Sequence, residues 1–376
     1  MTDSRLKAWV ALGLALTAHP RLRRGRGLEG VDPEAIVRGE GCDPSGAPSL
    51  RPDWVKAIFS GGFPDWADKQ IKASRRLGVG ILTFEEGGYP QSLRRLPDPP
   101  PFLFVKGGLT PRDAGAVAVV GSRGATPYGL GVARDLGRAL ALAGITVVSG
   151  LARGIDTAAQ RGAIEAGGRT LGVLGCGIDV IYPKENRRMF AEVARTGALV
   201  SEHAFGAGPH ARHFPARNRI IAGLSAAVVV VEATRESGSL ITARLAADEM
   251  GLPVCAVPGS ITSRTSEGCN DLIFDGATPV RGVMDVLGTL PENARERASA
   301  ALTAAISGAA ADQSAAGLDP AALRVLGALD RDQPRCVDEL AVSVGLASGP
   351  LLGHLLELEL RGLAVQHAGG RYLRAR

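Results

Sequence analysis

The runs Ala116-Val-Ala-Val-Val-Gly-Ser-Arg123, Ile145-Thr-Val-Val-Ser-Gly150 and Ala226-Ala-Val-Val-Val-Val-Glu232 decide the fold. Each is a short apolar, largely β-branched stretch that ends in small or charged residues. Thr170–Leu174, Ala198–Ser201 and Val254–Val257 repeat the form. Helical stretches lie between them at Gly129–Ala143, Thr157–Glu165, Lys184–Arg195 and Ser239–Glu249. Strands that are apolar on both faces and separated by helices predict a parallel sheet covered on both sides. Right-handed crossovers then give a Rossmann-like, doubly wound, mainly parallel α/β core, placed at residues 81–288.

Upstream, residues 81–111 read as an extended connector. Tyr89-Pro90 and Pro99-Pro100-Pro101 push the chain toward extended conformations, and Phe102–Val105 has the character of an edge strand. Residues 1–80 read as a small helical domain of SAM or helix-hairpin type, with an apolar face from Leu6 to Leu16 and helices through Asp32–Arg38 and Asp65–Leu77. Its basic turn, Arg21-Leu-Arg-Arg-Gly-Arg-Gly27, suits a phosphate backbone and a solvated loop equally well. Downstream, the Ala-, Ser- and Gly-rich residues 289–318 read as a flexible linker. Residues 319–376 predict a winged-helix-like domain: helices at Asp319–Leu329, Val337–Val344 and Gly349–Arg361, then a hairpin around Gly369-Gly370.

Charge and cysteine usage narrow the function classes. The net charge of +5 permits a polyanionic partner without demanding one, and no segment is a polybasic tail. Five scattered cysteines, with no Cys-x-x-Cys pair, argue against a disulfide framework and against a zinc site. His210 and His213 share a loop without a matching ligand pair. Neither a cofactor nor a metal is implied. No run approaches the roughly 20 apolar residues of a membrane span, so the expectation is a cytoplasmic protein.

In an open parallel sheet, ligands bind beyond the carboxyl ends of the strands. Here those ends read Gly121-Ser122-Arg123, Gly150-Leu-Ala-Arg153-Gly154, Gly175-Cys-Gly177 with Lys184, and Ser237-Gly238-Ser239 with Thr242. Glycines permit close backbone approach, helix starts offer N–H groups to anions, and Arg123, Arg153, Arg217 and Arg219 add forked donors. The set predicts a phosphate-binding crest. It lacks G-x-G-x-x-G after the first strand and lacks G-x-x-x-x-G-K-[ST] anywhere, so neither a dinucleotide site nor a P-loop is indicated. His213-Phe214-Pro-Ala-Arg217-Asn218-Arg219 places an aromatic beside Arg, as single-stranded nucleic acid requires. Phe214 reads equally as a stacking surface or as core. Asp156 and Glu232 read as helix caps or Arg partners rather than as acid–base groups.

Several of these stretches carry a family resemblance. Val120-Gly-Ser-Arg123, Gly150-Leu-Ala-Arg-Gly-Ile-Asp156, Gly175-Cys-Gly-Ile-Asp179 with Tyr182-Pro183, Phe214-Pro-Ala-Arg-Asn-Arg219, Ser237-Gly-Ser-Leu-Ile-Thr242 and Val257-Pro-Gly-Ser260 together resemble the DprA/Smf family over roughly residues 85–285. The resemblance implies a non-enzymatic protein that binds incoming single-stranded DNA during natural transformation and protects it. It implies loading of RecA recombinase in the presence of single-strand-binding protein, and a homodimer. The implied DNA-binding residues are Gly121, Ser122, Arg123, Gly150, Arg153, Gly154, Lys184, Phe214, Arg217, Asn218, Arg219, Ser237, Gly238 and Thr242. Gln160 departs from the family's frequent His. The tail departs too: residues 319–376 hold 7 basic and 7 acidic groups, which suits a protein contact better than a DNA groove.

Two rivals share the crest. Nucleotide phosphoribohydrolases of the lysine-decarboxylase-like type carry P-G-G-x-G-T-x-x-E, but Leu245 stands where that acid would be. A regulatory binder of a small nucleotide is the other.

Overall fold

The computed structural model describes residues 1–22, 28–38, 61–315, 318–330, 333–367 and 369–375. Most of the basic turn at 21–27, and residues 39–60, lie outside the described residues. Two compact units divide the chain, Met1–Ala301 and Leu302–Arg376.

The first unit is built on a nine-stranded sheet: β1 (Gly80–Thr83), β2 (Phe102–Gly107), β3 (Val117–Gly121), β4 (Val147–Ser149), β5 (Thr170–Val173), β6 (Ala198–Ser201), β7 (Ala227–Val231), β8 (Val254–Ala256) and β9 (Thr278–Pro279). Their order is β1-β2-β6-β5-β4-β3-β7-β8-β9. All pairs from β6 across to β9 are parallel; β2 runs antiparallel to both β6 and β1. The sheet is thus mostly parallel. The chain winds one way from β3 through β4 and β5 to β6, then resumes at β7 on the other side of β3. That reversal between β3 and β7 is the topological switch point, where ligands bind in such sheets.

Two expectations change here. Phe102–Gly107 is not the edge strand, because β1 pairs outside it with Thr83 opposite Phe102. Nor do the N-terminal helices form a body of their own. The helix Asp3–Ala18 is buried continuously from Ala8 to Leu16. Its Gly13 lies so close to β2 that a Cβ there would stand 2.5 Å from the Phe102 ring. Arg5 clamps Glu85 at 2.7 and 2.8 Å, and Gln70 Oε1 on the helix Phe63–Leu77 accepts from Phe205 N at 2.7 Å. One hydrophobic cluster runs from Trp9 and Phe63 through the sheet to Cys269.

Helices frame the switch point. Pro127–Leu142 is capped by Thr126, whose hydroxyl accepts from Gly129 N at 3.2 Å, and it buries Ala133, Leu136 and Leu140 at helical spacing. Ile155–Glu165 packs against it without intervening side chains. A Cβ at Gly137 would lie 2.0 Å from Ala159 O, and one at Gly162 would lie 1.9 Å from Arg134 O. The two helices therefore touch backbone to backbone.

Glu292–Ala315 is a helix of 24 residues, which corrects the expectation of a flexible linker. Ala, Glu and Arg have high intrinsic helix propensity, so a helix forms there without an apolar stripe in the sequence to announce it. Residues 316–317 lie outside the described residues.

The second unit has helices Pro320–Ala328, Val337–Val344 and Ser348–Leu360 and a three-stranded sheet of order β10-β12-β11, with β10 Arg335–Cys336, β11 Ala364–His367 and β12 Arg371–Arg374. Asp319 caps the first helix, accepting from Ala321 N and Ala322 N at 2.6 and 2.8 Å. Gly369 and Gly370, at φ +83° and +65°, turn the β11–β12 wing. The third helix, where a groove reader would carry basic residues, exposes Leu352, Leu356 and Leu360, and Arg361 just beyond it pairs with Glu357 at 2.8 Å.

Candidate nucleic-acid interface

The switch point opens into a cleft of about 650 Å³, joined by a smaller one of about 220 Å³. Arg123, Gly124, Ala152, Tyr182 and Phe214 line both. The floor is backbone. Gly121 is held against β7, where a Cβ would lie 2.0 Å from Val231 O, so no side chain fits. Ser122 N donates to Glu232 O at 2.8 Å and its carbonyl accepts from Ile155 N at 3.2 Å. The loop is thereby pinned between β7 and the next helix.

Arg123 leaves this loop exposed, with its guanidinium 4.8 Å from the Phe214 ring centre. Tyr182 stands beside that ring, tilted by 38° at 5.7 Å between centroids. Phe214 is half-buried, not core. A cation and two aromatic faces thus form the outer wall. Tyr182 was absent from the expected site residues. The signal for it was its type: only 4 tyrosines occur in the chain, and this one sits in a strand-end loop.

Arg217 and Asn218 also line the larger cleft, but Arg217 works inward. It is buried, and its Nη1 donates to Gly150 O at 2.9 Å and to Val173 O. Burial lowers its pKa to about 10, with Asp156 countering, so it stays cationic at neutral pH. Asp156 is raised by burial, with Arg217 opposing, and its Oδ2 accepts from Gly150 N at 3.0 Å. Asp156 and Arg217 hold the β4 loop from beneath. The expectation of a phosphate fork at Arg217 is corrected: buried carbonyls claim the guanidinium, because leaving them unpaired is costly.

Arg219 is also corrected. It is buried off the cleft, paired with Glu202 and with Asp98 Oδ2 at 3.2 Å. Gly154 does not line either cleft. Its φ of +74° starts the helix, and a Cβ would lie 2.2 Å from Ser122 O. Lys184 is exposed and lines neither cleft. Arg153 lines the smaller cleft and pairs with Glu185. Ser237, Gly238 and Thr242 form the far wall, where Asn218 Nδ2 donates to Gly238 O at 3.1 Å. The structure therefore brings together Gly121, Ser122, Arg123, Gly150, Arg153, Phe214, Asn218, Ser237, Gly238 and Thr242. Among the described residues lining the clefts, Arg123 is the one charged group without an opposite charge beside it.

The helix start at Pro127 is not open to an anion, because Glu232 occupies it. Its carboxylate accepts from Thr126 N at 2.8 Å and from the Thr126 hydroxyl at 2.5 Å, at a residue with φ +52°. Glu232 is thus a cap, committed to backbone rather than aimed at the cleft. Cys176, at the edge of the smaller cleft, is pushed by burial up to about 11 and donates to Val180 O, so it is a thiol rather than a thiolate nucleophile. Among the described residues, no group of three or more metal-ligating side chains occurs.

Residues 80–291 match the family model described as DNA recombination-mediator protein A, and residues 309–370 match the DprA winged helix domain. Protein Smf of Synechocystis is 36% identical over 319 residues, 78% of this chain and 80% of that protein. The DNA processing protein DprA of Streptococcus pneumoniae is 45% identical over 199 residues, 53% of this chain and 70% of that protein. Its X-ray structure superimposes with a TM-score of 0.62 at 33% identity, covering 77% of this chain and 99% of that one. DNA processing protein A of Helicobacter pylori, whose structure concerns a single-stranded DNA binding mode, superimposes with a TM-score of 0.50 at 33% identity, covering 56% of this chain and 94% of that one.

Proposed function

Because the chain belongs to the DNA recombination-mediator protein A family, also called DprA/Smf, we propose that it binds single-stranded DNA along the β3–β7 crest. The observation that carries this is the outer wall: Arg123 over the Phe214 ring, with Tyr182 beside it, above a floor of bare backbone. A nucleotide has a π-face on its base for the rings and a phosphate for the guanidinium, and neither contact reads sequence. A duplex, whose bases are stacked inside, has no free face to offer. Binding of single-stranded DNA by the Helicobacter pylori relative supports the same reading.

The finer role is part of the proposal: protection of incoming DNA during natural transformation, and loading of RecA from a homodimer in the cytoplasm, with single-strand-binding protein present. The proposal includes no catalysis. Asp156 supports the β4 loop and Glu232 caps a helix, so neither acid is free for proton transfer, and Leu245 cannot serve as the rival hydrolase's acid.

The test is a salt-dependent titration against single- and double-stranded DNA of equal length. Single-stranded binding loses affinity with a slope of about −0.7 per phosphate neutralised. With Arg217 and Arg219 engaged internally and Lys184 outside both clefts, contacts from Arg123 and from Arg153, released from its exposed pair with Glu185, give an expected slope of about −1.4. Equal affinity for duplex rejects the proposal.

A further inference from the structure

A second cleft, of about 210 Å³, lies on the other side of the wall that bounds the crest. The segment Pro209–Pro215 is that wall. Pro209, Ala211, Phe214 and Pro215 face the crest cleft, while His210, Arg212 and His213 face the second one. The opposite side of the second cleft is the N-terminal helical pair, through Leu14 and Trp66. Trp66 is 38% exposed, and Phe63 backs its ring at 5.8 Å. His213 stacks on His203 at 4.2 Å and meets His210 edge-on at 5.0 Å. Arg212 is exposed, and among the described residues none that lines this cleft is acidic.

An indole, flat imidazole faces and a solvent-facing guanidinium, with no carboxylate among the described lining residues, are the parts of a nucleotide site: planar surfaces for a base and a fork for its phosphate. We propose that this cleft is a second nucleotide subsite, which takes a base and its phosphate from the same strand as it leaves the crest. The proposal rests on the reading of the crest as a single-stranded DNA site. Burial and the neighbouring His210 hold His213 below its ordinary value, so at neutral pH the ring offers a face rather than a charge. The subsite gives the N-terminal helices a role in length discrimination. A strand too short to round the wall reaches the crest alone; a longer one engages Trp66 and Arg212 as well.

The experiment uses the full chain and homothymidine strands of graded length, with affinity read by anisotropy and folding read by melting. In the wild type, affinity rises as strands lengthen past the crest. Trp66→Ala and Arg212→Glu should bind the shortest strand as the wild type does and lose about tenfold on the longer ones. Trp66→Phe should keep most of the gain. Should Trp66→Ala melt early, Arg212→Glu decides, since its position is exposed. A 5-iodouracil strand should crosslink to the peptide holding Trp66 or to that holding His210. A length-dependent gain unchanged in Arg212→Glu, with no crosslink to either peptide, overturns the subsite and leaves the crest intact. A wild type that binds no strand of any length overturns both readings.

Discussion

Arg217 reaches Gly150 from beneath the crest, donating its Nη1 to that residue's carbonyl at 2.9 Å, in space that a Cβ on Gly150 would invade to within 2.2 Å. The arginine is therefore a support for the β4 loop rather than a hand extended to the ligand. Arg217→Ala leaves the buried Gly150 and Val173 carbonyls without their donor, and an unsatisfied buried acceptor costs about 1–3 kcal/mol. Urea unfolding should show a loss of that size. Normal stability with weakened DNA binding would return Arg217 to the ligand surface.

Arg123 and Phe214 should behave in the opposite way. Arg123→Ala should leave melting unchanged, weaken single-strand binding and flatten the salt slope by about 0.7. Arg123→Lys keeps the charge but loses the planar stack, so affinity should fall while the slope holds. Phe214→Ala should cost about 1–3 kcal/mol of binding with the slope unchanged. Melting and titration on one preparation separate these from folding defects.

Glu232 tests the absence of catalysis. Chromatography of nucleoside monophosphates incubated with the wild type should detect no free base. Glu232→Gln removes a charged acceptor from Thr126 and should destabilise by about 1–3 kcal/mol. Base release that vanishes in this variant, with folding intact, would make the protein a hydrolase.

Removal of residues 318–376 should leave most of the single-strand affinity in place. The exposed stripe Leu352, Leu356 and Leu360 supplies no phosphate partner, and Arg361 is neutralised by Glu357. A large fall in affinity, in a truncated chain that still melts normally, would assign DNA binding to the winged helix.

His213 sets a pH response. Burial first, then His210 and Arg212, lower its folded value below the ordinary 6.5, while its neighbour Glu202 works the other way. The unfolded chain therefore takes up a proton that the folded chain resists, and stability falls as pH drops below about 6.5. His213→Asn should flatten that decline. Unfolding midpoints measured between pH 5 and 8 check it, and identical profiles for the two proteins would dismiss the effect.

How far the sequence announced this structure depended on what each residue type can reveal. The strands from β3 to β8 were legible because a run such as Ala227–Val231, one alanine and four valines, is stable only when both of its faces are covered. The crest followed, since glycine and serine at several strand ends on one edge make a ligand floor. The direction of the arginines was not legible. Arg123 and Arg217 both stand beside small residues in the sequence, yet one faces solvent and the other faces Gly150 and Val173. A clue lay in the helix His213–Gly223, where Ile220-Ile221-Ala222 continues directly from Arg219 with no polar face. A helix buried from Arg217 to Gly223 takes its arginines inside with it, and Asp98, Asp156 and Glu202 are the matching acids. The helix Glu292–Ala315 escaped for the reverse reason: it has propensity but no period.

The backbone contact between Gly137 with Ala159 and Gly162 with Arg134 reaches beyond stability. Two helices locked without side chains between them leave little room to slide, so the loops that precede them arrive as one preformed surface. For the proposed strand binding this predicts little rearrangement of the protein, with the strand supplying most of the ordering. Preorganisation of this kind predicts association kinetics governed by encounter and ionic strength rather than by a slow conformational step. It also predicts a tolerance for any base order that the strand can bend to present.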